Sequence, residues 1–245
     1  MAAEKVAFIT GGNKGLGLET ARQLGKLGIK VVIGSRDLGR GKEAVEKLKK
    51  DGVDAEAVRF DITKAADYKE VYKYLEEKYG KLDILINNAG IAREDFMGGN
   101  QTSATSAAVL HETFDTNFFG AVQLTQTLLP LIKKAPAGRI VNLSSILGSL
   151  ALHADPKSPI YNAKAFAYDT SKAALNSFTV HLAHELKDTK IKVNSAHPGW
   201  VKTDMGGEQA PMDIVTGAKT SVALATLPED GPTAAYIHLG ETLPW

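Results

Sequence analysis

Tyr168 and Lys172 stand four residues apart, the spacing that places two side chains on one face of a helix. A phenol beside an ammonium can act as a proton donor. The positive charge favours the phenolate and draws a pKa of about 10 toward working pH. Far upstream, Thr10-Gly11-Gly12-Asn13-Lys14-Gly15-Leu16-Gly17 ends an apolar run and opens a helical pattern. A turn so rich in glycine lets backbone N–H groups approach a pyrophosphate, with the positive end of the helix behind them. The two features together imply hydride chemistry on a carbonyl, the nucleotide bound early in the chain and the acid supplied late. The glycines are spaced G-x-x-x-G-x-G, not the G-x-G-x-x-G of the common dinucleotide fingerprint, so the turn does not decide the matter alone.

The next apolar run ends Gly34-Ser35-Arg36-Asp37. An NAD site wants a carboxylate at this strand end for the ribose 2′-hydroxyl, whereas an NADP site wants a cation for the 2′-phosphate. Ser35 holds the acid's place and Arg36 follows it, and Lys14 can reach the same phosphate from the glycine turn. Two cations favour NADPH/NADP+ as the cofactor; Asp37 keeps NAD open.

These groups need a frame that brings distant segments together. Short β-branched runs alternate with helical patterns, the signature of a parallel sheet covered on both faces. Strands are expected at 5–10, 30–35, 55–60, 82–86, 138–144, 190–197 and 234–239. Helices are expected near 15–27, 39–51, 64–79, 111–134, 167–187 and 212–226, with Gly28, Gly52 and Gly80 positioned as C-terminal caps. The expected fold is a single-domain Rossmann-type α/β architecture over 1–245, a doubly wound parallel sheet of about seven strands. Segments 92–110, 146–166 and 199–216 follow strand ends, where the ligand crevice of such a sheet lies.

Three ordered motifs resemble the short-chain dehydrogenase/reductase family: the Thr-Gly-x-x-x-Gly-x-Gly turn, Asn87-Asn88-Ala89-Gly90, and Tyr168-Asp169-Thr170-Ser171-Lys172. Asn13-Lys14 and Ser35-Arg36-Asp37 look most like its NADPH-dependent carbonyl reductases. The resemblance implies a catalytic set of Asn117, Ser145 (with Ser144 as the alternative), Tyr168 and Lys172. It implies cofactor contacts from Gly11, Asn13, Lys14, Gly15, Leu16, Gly17, Arg36, Asp61, Ile62, Asn88, Ala89 and Gly90. Tyr168, Lys172, Pro198, Gly199, Val201 and Thr203 complete that contact set. Tyr74 and Lys78 repeat the Y-x-x-x-K spacing inside a charged helix, and are read as a solvated amphipathic face. Ser145 and Tyr168 are 23 positions apart, more than the family usually allows. The surplus at 148–166 is expected to shape the substrate mouth and to disturb the helix face that relatives use to oligomerise. A dimer or tetramer is the family's pattern, and the insert makes a monomer an alternative.

Composition narrows the partners. Lys and Arg total 29 against 28 Asp and Glu, a net charge of +1 without a basic stripe, which argues against nucleic acid. There is no cysteine, which excludes disulfides and thiolate chemistry. No run approaches the roughly 20 apolar residues of a membrane span, and the first apolar run, Val6 to Ile9, is too short for a signal-peptide core, so a soluble cytoplasmic protein is expected. His181 and His184 share a helix face without a third ligand at suitable spacing, so no metal is expected. Phe96, Met97, Trp200, Met205 and Met212 suit the wall of an apolar carbonyl substrate. A 3-oxoacyl reductase, an alcohol dehydrogenase, or an idle NADPH-binding sensor on the same fold are the alternative readings.

Overall fold

The computed structural model describes residues 4–96 and 99–245, so Met97 lies outside the described residues. The chain alternates strand and helix. The strands are β1 Val6–Thr10, β2 Lys30–Ser35, β3 Ala55–Arg59, β4 Ile84–Asn87, β5 Arg139–Leu143, β6 Lys192–Ala196, β7 Tyr236–His238 and β8 Glu241–Thr242. The helices are α1 Gly15–Lys26, α2 Leu38–Lys50, α3 Ala65–Tyr79, α4 Ala107–Phe114, α5 Gly120–Lys133, α6 Leu150–Ala154, α7 Phe166–Glu185 and α8 Ile214–Ala225. The sheet order is β3-β2-β1-β4-β5-β6-β7-β8. Strands β1 to β7 run parallel, and the order reverses between β1 and β4, the point at which such sheets open a crevice.

Period-two alternation in the strands builds the two layers. In β1, Val6 and Phe8 face a core completed by Tyr68, Val71 and Leu75 of α3, Leu124 and Leu128 of α5, and Leu182 of α7. Ala7 and Ile9 face the opposite core, closed by Ala21 and Leu24 of α1, Val45 and Leu48 of α2, and Leu224 of α8. Each fully buried Leu or Ile contributes about 1.5–3 kcal/mol of hydrophobic stabilisation. The doubly wound sheet expected from sequence is therefore present, and the expected C-terminal caps Gly28, Gly52 and Gly80 take φ of 79, 78 and 68°.

A polar chain runs through the apolar slab. Asn87 Nδ2 donates to Asn142 Oδ1 at 2.8 Å, Asn142 Nδ2 to Thr179 Oγ1 at 2.8 Å, and Thr179 shares a 2.8 Å bond with Ser195. All four residues are buried, so side-chain hydrogen bonds tie β4, β5, α7 and β6 together.

Two elements differ from expectation. The sheet gains β8, which pairs antiparallel with β7 through Ile237↔Thr242 and His238↔Glu241. Leu239 (φ 46°) and Gly240 (φ 91°) form its two-residue turn, and the non-glycine at positive φ conceals that hairpin from a sequence reading. The helix expected over 111–134 is two helices, α4 and α5, joined by a π-turn at Asp115–Phe119. Among the described residues no helix is long and apolar enough to cross a membrane.

Candidate active site

The glycine turn joins β1 to α1 at the switch point. Gly11 and Gly15 adopt φ of 63 and 57°, where a side chain would be strained. Gly17 answers a different need: a Cβ there would sit 2.5 Å from both the Gly11 carbonyl and Asn88 Nδ2. Helix α1 begins without any side-chain cap and with no acid in its first turn, which leaves its positive end for an external anion. Asn88 donates to the Thr10 carbonyl at 2.7 Å, and the Asn88 and Ala89 N–H groups both reach Thr10 Oγ1 at 2.9 Å. The Asn-Ala-Gly segment thus braces the turn from the neighbouring strand end.

At the end of β2, Arg36 is exposed and makes no hydrogen bond or ion pair among the described residues. Asp37 is committed elsewhere: its carboxylate caps α2 by accepting from Arg40 N at 3.1 Å. That employment weakens the NAD option it had kept open. Lys14 does not hang free over β2; its ammonium pairs with Asp204 at 2.6 Å, linking the glycine turn to the loop after β6. At Asp61, burial pushes the carboxyl up, but bonds from Thr63 and the charge of Arg36 outweigh it and hold the group low. Ile62 is buried, and its carbonyl accepts the Tyr68 hydroxyl.

Asn117 lies in the π-turn, a distortion that often marks functional positions. Its side chain pairs with both polar groups of the Ile91 backbone, at 2.8 and 2.9 Å, and donates to Ser171 at 3.0 Å. A Cβ on Gly90 would lie 3.4 Å from Asn117 Oδ1 and 3.5 Å from Lys172 Nζ, so the glycine brings both groups to one spot. The side-chain amide of Asn117 is therefore engaged with protein.

Of the serine pair, Ser144 is buried, whereas Ser145 is partly exposed at the end of β5 and its hydroxyl lowers the Tyr168 pKa. The turn carrying Ser145 is held from three sides. Tyr236 donates its hydroxyl to the Ser145 carbonyl, and His197 Nδ1 accepts from Ile146 N at 3.1 Å. Gly148 packs so tightly on α7 that a Cβ would come within 2.9 Å of the Lys172 Cβ. Burial drives the His197 pKa down to about 3, and His238 adds to the effect, so the ring stays neutral and its Nδ1 stays an acceptor. The same Nδ1 faces the N–H of Gly199 at 3.4 Å, joining the serine turn to the Pro198-Gly199 turn. Sequence reasoning missed His197; its place beside Pro198-Gly199 was the available signal.

Tyr168 and Lys172 share the inner face of α7, 7 and 4% exposed. Lys172 Nζ lies 5.6 Å from the centre of the Tyr168 ring and donates to the Leu143 carbonyl at 2.7 Å. The Tyr168 pKa is pushed up to about 12, chiefly by burial; Ser145 opposes the rise and Asp169 adds to it. Burial pulls Lys172 down to about 8. The depressed phenol expected from the neighbouring ammonium is thus absent, because desolvation is the largest influence on both groups.

Beyond β6, Gly199 takes φ 91°, Val201 is buried and bridges to Met212, and Thr203 Oγ1 accepts from Gly206 N at 3.1 Å. Trp200 is 47% exposed, with its indole N–H bound to the Gly206 carbonyl. Phe96 meets the Tyr168 ring edge-on at 5.0 Å. The second Tyr-Lys pair is structural rather than merely solvated: Tyr74 and Lys78 both bond Glu56 on β3. His181 and His184 are exposed, and the described residues contain no cluster of three metal-ligating side chains.

A profile of the family described as short chain dehydrogenase matches residues 5–213. Human carbonyl reductase [NADPH] 1 is 34% identical over 98% of each chain. Short-chain dehydrogenase/reductase 1 of Saponaria officinalis is 32% identical, over 100% of this chain and 97% of that one. Among solved structures, the NADPH-bound carbonyl reductase from chicken fatty liver superposes with a TM-score of 0.84 at 28% identity, covering 99% of both chains.

Proposed function

The chain belongs to the short-chain dehydrogenase family, and on that premise we propose a single domain over residues 1–245 that reduces ketones or aldehydes with NADPH. The observation that carries this reading is the convergence of Ser145, Tyr168 and Lys172 beside the crevice that the glycine turn opens.

The residues fit the dinucleotide. The uncapped start of α1 and the positive-φ glycines suit a pyrophosphate, and Arg36, exposed beside Asp61, suits a 2′-phosphate. When bound, the reduced cofactor supplies the hydride. The chain's own work is done at the carbonyl oxygen, where negative charge develops. Donors fixed beforehand stabilise that charge without reorganising. Ser145 holds the oxygen by its hydroxyl. Tyr168, protonated throughout the neutral range, gives its phenolic proton to the nascent alkoxide. Lys172, anchored on Leu143, places positive charge near the ring and favours the phenolate that remains. Asn117 fixes the Ile91 backbone and, through Ser171, the helix that carries Tyr168. Phe96, Trp200 and Met205 offer apolar surface around the mouth, which supports an apolar, small-molecule substrate.

On the insert, the Trp245 carbonyl accepts from Ala151 N at 3.0 Å, which ties the last residue to α6. Function is tested by NADPH consumption against a panel of aldehydes, diketones and aryl ketones, repeated with NADH. Turnover of at least one class with NADPH is expected; no turnover on any of them would favour an idle binder. Tyr168→Phe should fall below about a tenth of wild-type kcat, since a positioned proton donor contributes 10²–10⁴-fold.

A further inference from the structure

Helix α7 carries Tyr168 as only its third residue, Phe166 being the first. At that position the backbone N–H has no partner inside the helix, and helix ends fray. The preceding residue, Ala165, has no side chain able to cap, and no side-chain cap is made there. Two carboxylates from different places take over. Asp169 reaches back to Ala165 N at 2.9 Å. Glu94, 74 residues upstream in the segment after Asn87-Asn88-Ala89-Gly90, accepts from Tyr168 N at 3.0 Å.

The same segment grips the tyrosine a second time, through the edge-on contact between Phe96 and its ring at 5.0 Å. It is also fastened just ahead of α7, where Asn100 Nδ2 donates to the Lys164 carbonyl at 2.8 Å. The fit is specific in one further respect. Glu94 Oε1 and Asp169 Oδ1 are both buried without a hydrogen-bond partner, so the two acids hold the helix start at an electrostatic cost. Burial, reinforced by the charge of Glu94, pushes the Asp169 carboxyl up to about 7, and costs of this kind are found at functional positions.

We infer that Glu94 is a positioning residue for the reaction: by capping the first turn of α7 from the cofactor-side loop, it fixes Tyr168 at the depth where its phenol meets the substrate oxygen. The inference rests on Tyr168 being the proton donor, which Tyr168→Phe tests separately. Glu94 acts through the backbone of Tyr168.

The experiment compares Glu94→Ala, Glu94→Met and Glu94→Gln on a ketone that the wild type reduces. Glutamine keeps an acceptor oxygen at the same reach. Methionine fills the volume without one, and serves should the alanine variant fail to fold. A misplaced catalytic group costs up to about 100-fold, so Ala and Met are expected to lower kcat at least about tenfold while Gln stays within about threefold. The NADPH Kd of all three, read by fluorescence titration, is expected to stay at the wild-type value. The solvent deuterium isotope effect on kcat should rise in Ala and Met, because proton transfer becomes more rate-limiting. The idea is overturned if Ala and Met keep more than half of kcat, if Gln falls as far as they do, or if NADPH affinity drops in parallel. Should Tyr168→Phe stay active, the proton-donor assignment fails instead, whatever the Glu94 variants do.

Discussion

Lys172 directs its ammonium to the carbonyl of Leu143, 2.7 Å away, and meets Tyr168 from 5.6 Å off the ring centre. The lysine is thus fixed by the end of β5, and its influence on the phenol is exerted through charge. That charge exists only below its own pKa, which burial lowers from 10.5 to about 8. Tyr168 remains a phenol up to about 12. Carbonyl reduction is therefore expected to hold level through neutral pH and to decline as pH rises through about 8, where Lys172 loses its proton. In Lys172→Met the overall rate should be lower and that inflection absent. A pH profile of kcat/KM at saturating NADPH checks both statements.

The two serines at the end of β5 are expected to separate cleanly. Ser145 faces Tyr168, while Ser144 is 2% exposed. Removing one donor aimed at a developing oxyanion costs about 10²–10³ in kcat, so Ser145→Ala should lose activity on that scale. Ser144→Ala should retain most of it. Steady-state kinetics of both variants decide the assignment, and a reversed order would move the role to Ser144.

Arg36 is exposed and unpaired among the described residues, whereas Lys14 is already engaged by Asp204. The first cation is thus available to a 2′-phosphate without breaking any contact. Arg36→Ala is expected to raise the KM for NADPH by about tenfold, the worth of a charge-assisted contact of about 1.4 kcal/mol, and to leave that for NADH nearly unchanged. An unchanged NADPH KM would refute the assignment.

Glu56 gathers Lys30, Lys78 and Tyr74 beneath α3. Burial pushes its carboxyl up, but those partners outweigh burial and bring the pKa down to about 2 from 4.5. A carboxyl lowered on folding stabilises the fold above its unfolded pKa, and the contribution is lost as pH falls from 4.5 toward 2. Glu56→Gln should melt at a lower temperature at pH 7 and lose less over the acid range. Thermal melts between pH 7 and 3 provide the measurement.

Much of this architecture was legible because it is periodic or local. Short β-branched apolar runs located seven strands within a residue or two, and the glycine turn, Tyr168 and Lys172 declare themselves by residue type and spacing. What stayed hidden depends on distance or on backbone conformation. A π-turn leaves no mark in hydrophobic periodicity, so 111–134 reads as one helix; only a propensity-poor Asn117 hints at the break. Glu94 lies 74 residues from the N–H it caps, and no local pattern connects them. The insert before Tyr168 was countable but not foldable by inspection. Its form is a short α6 capped locally by Ser149, with His153 bonded to the Leu147 carbonyl and near Asp169 across the fold. The phenol's raised pKa likewise reflects burial, which spacing does not reveal.

The amide chain from Asn87 through Asn142 and Thr179 to Ser195 bears on how the molecule assembles. In a parallel sheet of aliphatic side chains, neighbouring registers are nearly degenerate in hydrophobic energy. A slip of one residue turns every side chain to the opposite face. Slipping β5 would strand the Asn142 amide among isoleucines and valines, and an unmatched buried amide costs about 1–3 kcal/mol. These four side chains therefore act as a key that admits one alignment of the central strands and rejects its neighbours, before any ligand is there to select for it.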